Sequence, residues 1–297
     1  MSRIVCAGSM NMDTAVYTDA LPRAGETVFG SRLVSSPGGK GLNQAVAAVR
    51  LGAEVAFVGC RGKDQTGDQL TAFLVSEGID VTGISKSAGA QTGAAIILVD
   101  RQSENAIVVI SGANMEWPAG ALDKVQLTAS DIVVSQFEVP DAIIIEAFGR
   151  ARRAGARTML NAAPARAIPV QLLDLIDVLV VNETELAACA AAGVDTSDVG
   201  AVANVALTLA KDRRSVVATL GSKGAMVASG GSASHIPGLI VKPVDTAGAG
   251  DCFVGALAAA LLRGEDLKGA AAFANRAASF SVTRRGTAIA MPRSSEL

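Results

Sequence analysis

The chain has 297 residues, of which 50% are hydrophobic, 18% charged and 3% aromatic, with a formal net charge of -2. That composition suits one large domain with a core of Ala, Val, Leu and Ile and excludes a disordered chain. It also lacks the basic excess that a nucleic-acid partner would need. Cys6, Cys60, Cys189 and Cys252 are widely spaced and His235 is the single histidine, so neither a disulfide framework nor a zinc site is expected, and a reducing, cytoplasmic setting is.

Ile4 to Ala7 reads as a first strand, too short and too soon interrupted by Asp13 for a secretion signal. Gly8-Ser9-Met10-Asn11-Met12-Asp13 then sets an amide and a carboxylate two positions apart. On an extended chain they share one side and could grip vicinal hydroxyls, although an Asx turn needs the same residues. Ala15 to Ser35, with a turn at Pro22 to Glu26, reads as antiparallel strands rather than as part of an α/β alternation.

Gly38-Gly39-Lys40-Gly41-Leu42-Asn43-Gln44 follows, with three glycines around a lysine at the mouth of a helix over Leu42 to Leu51 closed by Gly52. Such a loop offers bare amides beside a cation, as an anion or polar-ligand site requires. A strand at Val55 to Gly59 and a helix over Thr66 to Glu77, closed by Gly78, give a βαβ rhythm. Thr92 to Ser111, with a turn at 101–105, breaks it again. The two irregular segments could pair into a small sheet over the strand ends, where α/β ligands bind, and act as a lid.

The rhythm resumes with Ile132 to Ser135, a helix over Pro140 to Ala154 ended by Gly155, and strands at Thr158 to Asn161, Val178 to Asn182, Val216 to Leu220 and Met226 to Ala228. Their unbroken apolar runs predict a parallel sheet covered on both faces. Polar residues cluster just past the strand ends: Gln136-Phe137-Glu138, Asn182-Glu183-Thr184-Glu185 and Thr219-Leu220-Gly221-Ser222-Lys223-Gly224. Asn182 and Glu185 have capping-box spacing but could also orient a hydrated Mg²⁺. The glycine-rich turn after Thr219 suits a nucleotide or a hairpin equally.

The most informative run is Val244-Asp245-Thr246-Ala247-Gly248-Ala249-Gly250-Asp251-Cys252-Phe253. Small residues opening into an apolar helix, which should begin around Ala249 to Asp251, leave its first amides without intrahelical partners, where a phosphate is attracted. An aspartate beside that cradle can accept a proton from an attacking hydroxyl, which predicts phosphoryl transfer to an alcohol. The apolar run from Cys252 to Leu262 is well short of a membrane span. Other chemistries lack their residues: position 253 is Phe where a dinucleotide fingerprint needs Gly, no Gly-Lys pair is followed by Ser or Thr, His235 precedes Ile236 rather than Arg-Asp, and no G-x-S-x-G elbow accompanies that histidine for a hydrolase triad.

In order and spacing, Gly8 to Asp13, Gly38 to Ala45, Gln136 to Glu138, Asn161 to Arg166, Asn182 to Glu185, Thr219 to Gly224 and Asp245 to Asp251 together resemble the ribokinase-like sugar kinases of the PfkB family over essentially the whole chain. The resemblance implies a three-layer α/β/α sandwich with a central, mostly parallel sheet, one domain over residues 1–297, and a small β-sheet lid from segments near 14–37 and 92–112. It implies ATP-dependent phosphorylation of the 5-hydroxyl of D-ribose, or else of deoxyribose, another furanose or a nucleoside, and a homodimer formed through the lids. By it, Asn11, Asp13, Gly39, Lys40, Asn43 and Glu138 would bind the sugar. Asp251 would be the base and the amides of Ala247, Gly248, Ala249 and Gly250 the anion hole. Asn182, Glu185, Thr219, Gly221, Ser222, Gly224, Gly250 and Asn275 would serve the nucleotide, with Mg²⁺ reached from Asn182 and Glu185 through water. A monovalent cation, K⁺ by analogy, would be held by Asp245, Ala247, Ser281, Arg284 and Gly286; where related chains tend to offer a serine to it, this one has Ala290.

Overall fold

A computed structural model describes residues 2–102, 104–190, 195, 198–211 and 213–297. Ser103, in the turn expected at 101–105, lies outside the described residues. Ile4–Ala7 (β1) passes through Gly8, Ser9 and Met10 into Asn11–Thr18 (β2), which returns as Gly30–Gly38 (β3) and enters Lys40–Arg50 (α1). Val55–Arg61 (β4), Gln65–Ser76 (α2) and Asp80–Lys86 (β5) come next, followed by the hairpin Gly93–Val99 (β6) and Asn105–Ile110 (β7). Ile132–Gln136 (β8), Asp141–Ala154 (α3), Arg157–Asn161 (β9), the single turn Val170–Leu173 (α4) and Val178–Asn182 (β10) restore the alternation. After Glu183–Ala190 (α5) and Val199–Leu209 (α6), Ser215–Thr219 (β11), Gly224–Ser229 (β12) and Ser232–Pro237 (β13) form a meander. Ala249–Leu262 (α7) and Leu267–Ser281 (α8) pack against each other near the end of the chain.

The large sheet runs β13-β12-β11-β10-β9-β8-β1-β4-β5. Strands from β5 to β11 pair in parallel, while β12 and β13 join antiparallel. This corrects one expectation: Met226 to Ala228 belongs to a hairpin arm, because only a short turn separates β11 from β12 and a parallel crossover needs a dozen residues or more. Successive residues of the central strands bury to opposite faces, so the chain has two aliphatic layers. Ile4, Cys6, Phe57, Val134, Met159, Val180 and Val217 pack with α1, α2, α7 and α8, and Val5, Ala7, Val58, Val133, Leu160, Val181 and Val216 pack with α3 and α6. Helices therefore cover both faces, which is why the strands read as continuous apolar runs.

The small sheet runs β3-β2-β6-β7. Its two hairpins are antiparallel, as expected, but they are joined by a parallel β2–β6 pair, Asn11↔Gly93 through Tyr17↔Val99. The reason is topological: β2 and β6 both leave the body from the same edge and so run in the same direction. β5, β13, α6 and α8 were not anticipated. β5 and β13 are edge strands with half-exposed, mixed sequences, and α8 carries its apolar signal mainly on alanines.

Helix α7 lies against α1 at Gly255. A Cβ there would sit 2.4 Å from the Gln44 carbonyl oxygen and 2.6 Å from the Ala47 Cβ. An exposed helix would gain stability from Gly→Ala; here backbone meets backbone and neither helix can give way freely. Gly255→Ala is expected to lower the unfolding free energy by about 1–3 kcal/mol in urea titration. Gly89→Ala, at a position with open space around it, should leave the midpoint unchanged.

Candidate active site

The parallel strands bring their carboxyl ends to one edge, the side on which such sheets bind ligands. Register places Gln136 opposite Asn161 and Asn182 opposite Thr219, with Ala7 opposite Ser135. Because β1 and β8 are neighbours and β10 and β11 lie beyond β9, residues after β1 and β8 lie toward one end of this edge and residues after β10 and β11 toward the other. Asp251 reaches it from the first turn of α7.

At the β1 end, β2 puts Asn11 and Asp13 on one side, as alternation predicts. Asn11 Oδ1 accepts from Asn114 Nδ2 at 2.7 Å, and Asn114 Oδ1 in turn accepts the Met10 N–H at 3.0 Å. Glu138 Oε2 accepts from the Ser9 hydroxyl at 2.5 Å and from the Lys40 N–H at 3.1 Å, so the β8 loop is tied to the start of α1. Gly39 has φ 90° and caps α1 without a side chain; its missing Cβ would lie 2.9 Å from the Asn11 nitrogen, so only glycine lets these two backbones approach. Ser9 and Asn114 were not singled out in the sequence. Ser9 stood inside a motif read for Asn11 and Asp13, and Asn114 lies in a short 3₁₀ turn with no periodic signal.

Asp251 is 7% exposed and each of its oxygens holds an amide donor: Asn43 Nδ2 to Oδ2 at 2.9 Å and Gln44 Nε2 to Oδ1 at 3.0 Å. The small-residue run before it is only partly a bare cradle. The Ala247 N–H donates to Asp245 Oδ1 at 3.0 Å and the Ala249 N–H reaches the Thr246 carbonyl at 3.3 Å. Among the described residues, the N–H groups of Gly248, Gly250 and Asp251 have no protein acceptor. Of the four amides expected to form an anion hole, those of Gly248 and Gly250 are thus without a protein acceptor, as is the Asp251 amide.

Lys40 lies among acids. The Asp251 carboxylate, then Glu138 and Glu185, hold its ammonium above the usual lysine value against the opposing effect of burial. Glu185 is pushed up, first by burial and further by the charge of Asp251, with its bond from Asn182 and the Lys40 charge opposing. These shifts describe one field, in which Lys40 is the counter-charge to a cluster of carboxylates.

At the β10 end, Asn182 and Glu185 form a reciprocal cap. Glu185 accepts from the Asn182 N–H at 2.8 Å and from Nδ2 at 3.0 Å, and the Glu185 N–H donates to Asn182 Oδ1 at 2.8 Å. Among the described residues no group of three His, Cys, Asp or Glu side chains could hold a metal, and both carboxylate oxygens of Glu185 already accept from Asn182. Thr219 ends β11, and Gly221 and Ser222 lie in the 3₁₀ turn that makes the hairpin to Gly224. Asn275, on α8, donates to the carbonyls of Ile236 and Pro237 and pins the end of β13 beside that turn.

Asp245 also accepts the Gly286 N–H at 3.0 Å, which brings the segments of Asp245, Ala247 and Gly286 together. The carbonyls of Ala247, Arg284 and Gly286 meet no protein donor among the described residues. A carboxylate with free carbonyls is an all-oxygen set suited to a hard monovalent cation. Arg284 could contribute only its carbonyl, since its guanidinium is itself a cation with no acceptor and pairs with Glu296. Ser281 donates to the Ala278 carbonyl at 2.8 Å inside α8, and Ala290 is buried.

A family model described as pfkB family carbohydrate kinase matches residues 1–294. The ribokinase of Haemophilus influenzae is 38% identical over 292 residues, spanning 97% of this chain and 95% of that protein. The deoxyribokinase of Salmonella typhi is 34% identical over 292 residues, again with 97% and 95% covered. A solved structure of the Arabidopsis thaliana ribokinase complexed with ribose and ATP superposes with a TM-score of 0.90 at 31% identity, over 99% of this chain and 97% of that one.

Burial, then the charges of Glu138 and Asp251, push the Asp13 carboxyl up to about 7. Between the ordinary carboxylate range and that value the folded chain keeps a proton that the unfolded chain has released, so stability falls as pH rises through this window and levels off above it. The urea midpoint should therefore fall from about pH 5 to about pH 8 by more in the parent than in Asp13→Asn, which has no proton to lose there.

Proposed function

The chain belongs to the pfkB family of carbohydrate kinases, and on that premise we propose that it transfers the γ-phosphate of ATP to the 5-hydroxyl of D-ribose, giving ribose 5-phosphate and ADP. The observation that carries this reading is Asp251, a buried carboxylate next to backbone amides with no protein acceptor. O5 attacks the γ-phosphorus, the bond from that phosphorus to the β,γ-bridging oxygen breaks, and its electron pair leaves with ADP. Asp251 takes the hydroxyl proton, since the amides of Asn43 and Gln44 that already hold it cannot. The N–H groups of Gly248 and Gly250 meet the charge on the transferring group at no reorganisation cost. Chemistry of this kind rests on positioning and electrostatics rather than on covalent catalysis.

Asn11, Asp13, Glu138, Lys40 and Asn43, with the Gly39 backbone, bind the sugar hydroxyls on this reading. Asn182, Glu185, the Thr219 to Gly224 turn and Asn275 serve the nucleotide. Mg²⁺, reached through water from Asn182 and Glu185, supplies charge neutralisation for the phosphates. A monovalent cation at Asp245, Ala247, Ser281, Arg284 and Gly286 would steady the loop that presents the anion hole, and with Ala290 in place of a hydroxyl it rests on backbone and Asp245 oxygens. We read residues 1–297 as one unit, with segments 14–37 and 92–112 as its lid. Phe29, 92% exposed, and the outward apolar residues Leu33, Ile107 and Val108 on that lid support a homodimer formed through it. Four free cysteines suit the cytoplasm.

The similarity to a deoxyribokinase makes 2-deoxyribose the one competing substrate with a specific observation behind it. In a coupled ADP-release assay with Mg²⁺ and K⁺, kcat/KM should favour ribose over 2-deoxyribose by roughly 10- to 100-fold, the worth of one hydroxyl bonded to a charged group. Parity, or preference for fructose or a nucleoside, would refute ribose as the substrate. Asp251→Asn should bind ribose within a few-fold of the parent by calorimetry yet lose about 10²–10⁴ in kcat; unchanged turnover removes Asp251 from the role of base.

A further inference from the structure

Helix α1 sends two adjacent amides to Asp251, and only Asn43 belongs to the expected sugar contacts. We propose that the second, Gln44, is a positioning residue: it sets the orientation in which the base meets the alcohol. The inference rests on the kinase reading above. Gln44 is 2% exposed, so it acts through Asp251 and not by meeting solvent or substrate.

Its amide is fully committed. Nε2 donates to Asp251 Oδ1 and to Asn161 Oδ1, both at 3.0 Å, and Oε1 accepts from Gln136 Nε2 at 2.6 Å. The direction of these bonds is anchored in the sheet. The Val180 carbonyl can only accept, and Asn161 Nδ2 donates to it at 3.3 Å. Asn161 must then turn its oxygen to Gln44, and Gln44 must present its nitrogen to both Asn161 and Asp251. Reversing either amide would oppose oxygen to oxygen, or nitrogen to nitrogen, in a buried place. Gln136 follows from the other side: it keeps its nitrogen on Gln44 although its own Oε1 is left buried without a partner, as Asn43 Oδ1 is too.

Donation therefore diverges from the Gln44 nitrogen, to the carboxylate on one side and through Asn161 to the β10 backbone carbonyl on the other. Other ionisable groups that feel Asp251 are Cys6 on β1, Asp13 on β2, Lys40 on α1, Glu185 on α5 and Cys252 on α7. Glu138, past β8, acts on Asp13 and Lys40 in the same cluster. All of them are retained in Gln44→Met, so a change in its pH behaviour reports on the amide, whereas Gln44→Glu also adds a carboxyl beside Asp251.

The test is steady-state kinetics with ribose and MgATP on Gln44→Met, which keeps the volume and drops the amide, and on Gln44→Glu, which replaces the donor with an acceptor. Expected is a fall in kcat on the order of 10- to 100-fold with KM for ribose within about threefold. The acid limb of the kcat–pH profile should move to higher pH, further for Glu than for Met, because both lose a donor to the ionised carboxylate and Glu adds a like charge beside it. If Gln44→Met does not fold, Asn161→Ala, which frees the same amide to turn, must give that signature. A kcat within about threefold of the parent overturns the proposal, and so does a loss of kcat with the acid limb unmoved, which is what lost packing alone would produce. A parent without turnover on ribose sinks the kinase reading itself, whereas an active parent with an equally active variant sinks only the role of Gln44.

Discussion

The contact between α1 and the first turn of α7, through Asp251, is the constraint on which the rest of the site depends. Two side chains from one helix grip both oxygens of a carboxylate on another. One turn further along, Gly255 lets the helices approach until backbone meets side-chain carbon. Close approach and double donation require each other: amide side chains reach a buried carboxylate only when the helix axes are near. The same crossing fixes the unpaired amides of Gly248 and Gly250 relative to Asp251, because those residues lead directly into α7. Electrostatic preorganisation is here a consequence of helix packing.

Charge balance around this contact is managed by one cation. Asp13, Glu138, Glu185 and Asp251 all act on one another or on Lys40. Buried carboxylates at such density would raise one another's pKa without a nearby ammonium. Asp13 shows the strain most, since it lies in the lid strand under burial and two neighbouring negative charges.

Much of the fold was legible in residue pattern, and the exceptions have definite causes. Central strands such as Val178–Asn182 and helices with glycine stops such as Asp141–Ala154 emerged because apolar runs and breakers are local signals. The direction of β12 did not, because a hairpin and a crossover can share the same apolar run. Nor did the parallel β2–β6 pair, which depends on where two distant segments leave the body. In the site, Asp251, Asn43 and Lys40 were visible as motif residues. Ser9, Asn114 and the commitment of the Ala247 amide to Asp245 were not, since each depends on a partner far away in the chain or on the path of a loop.

Strand β1 runs straight into β2, so Asn11 and Asp13 belong to the small sheet, whereas Asn43, Glu138 and Asp251 belong to the body. On the proposed reading a sugar held by both sets would join the small sheet to the body, and thermodynamic reciprocity would then apply. Whatever covers the outer face of that sheet and prefers one of its positions must alter sugar affinity by the same factor by which the sugar alters the covering. Were that covering a second copy of the chain, recognition of a small molecule and association would be two readings of a single equilibrium.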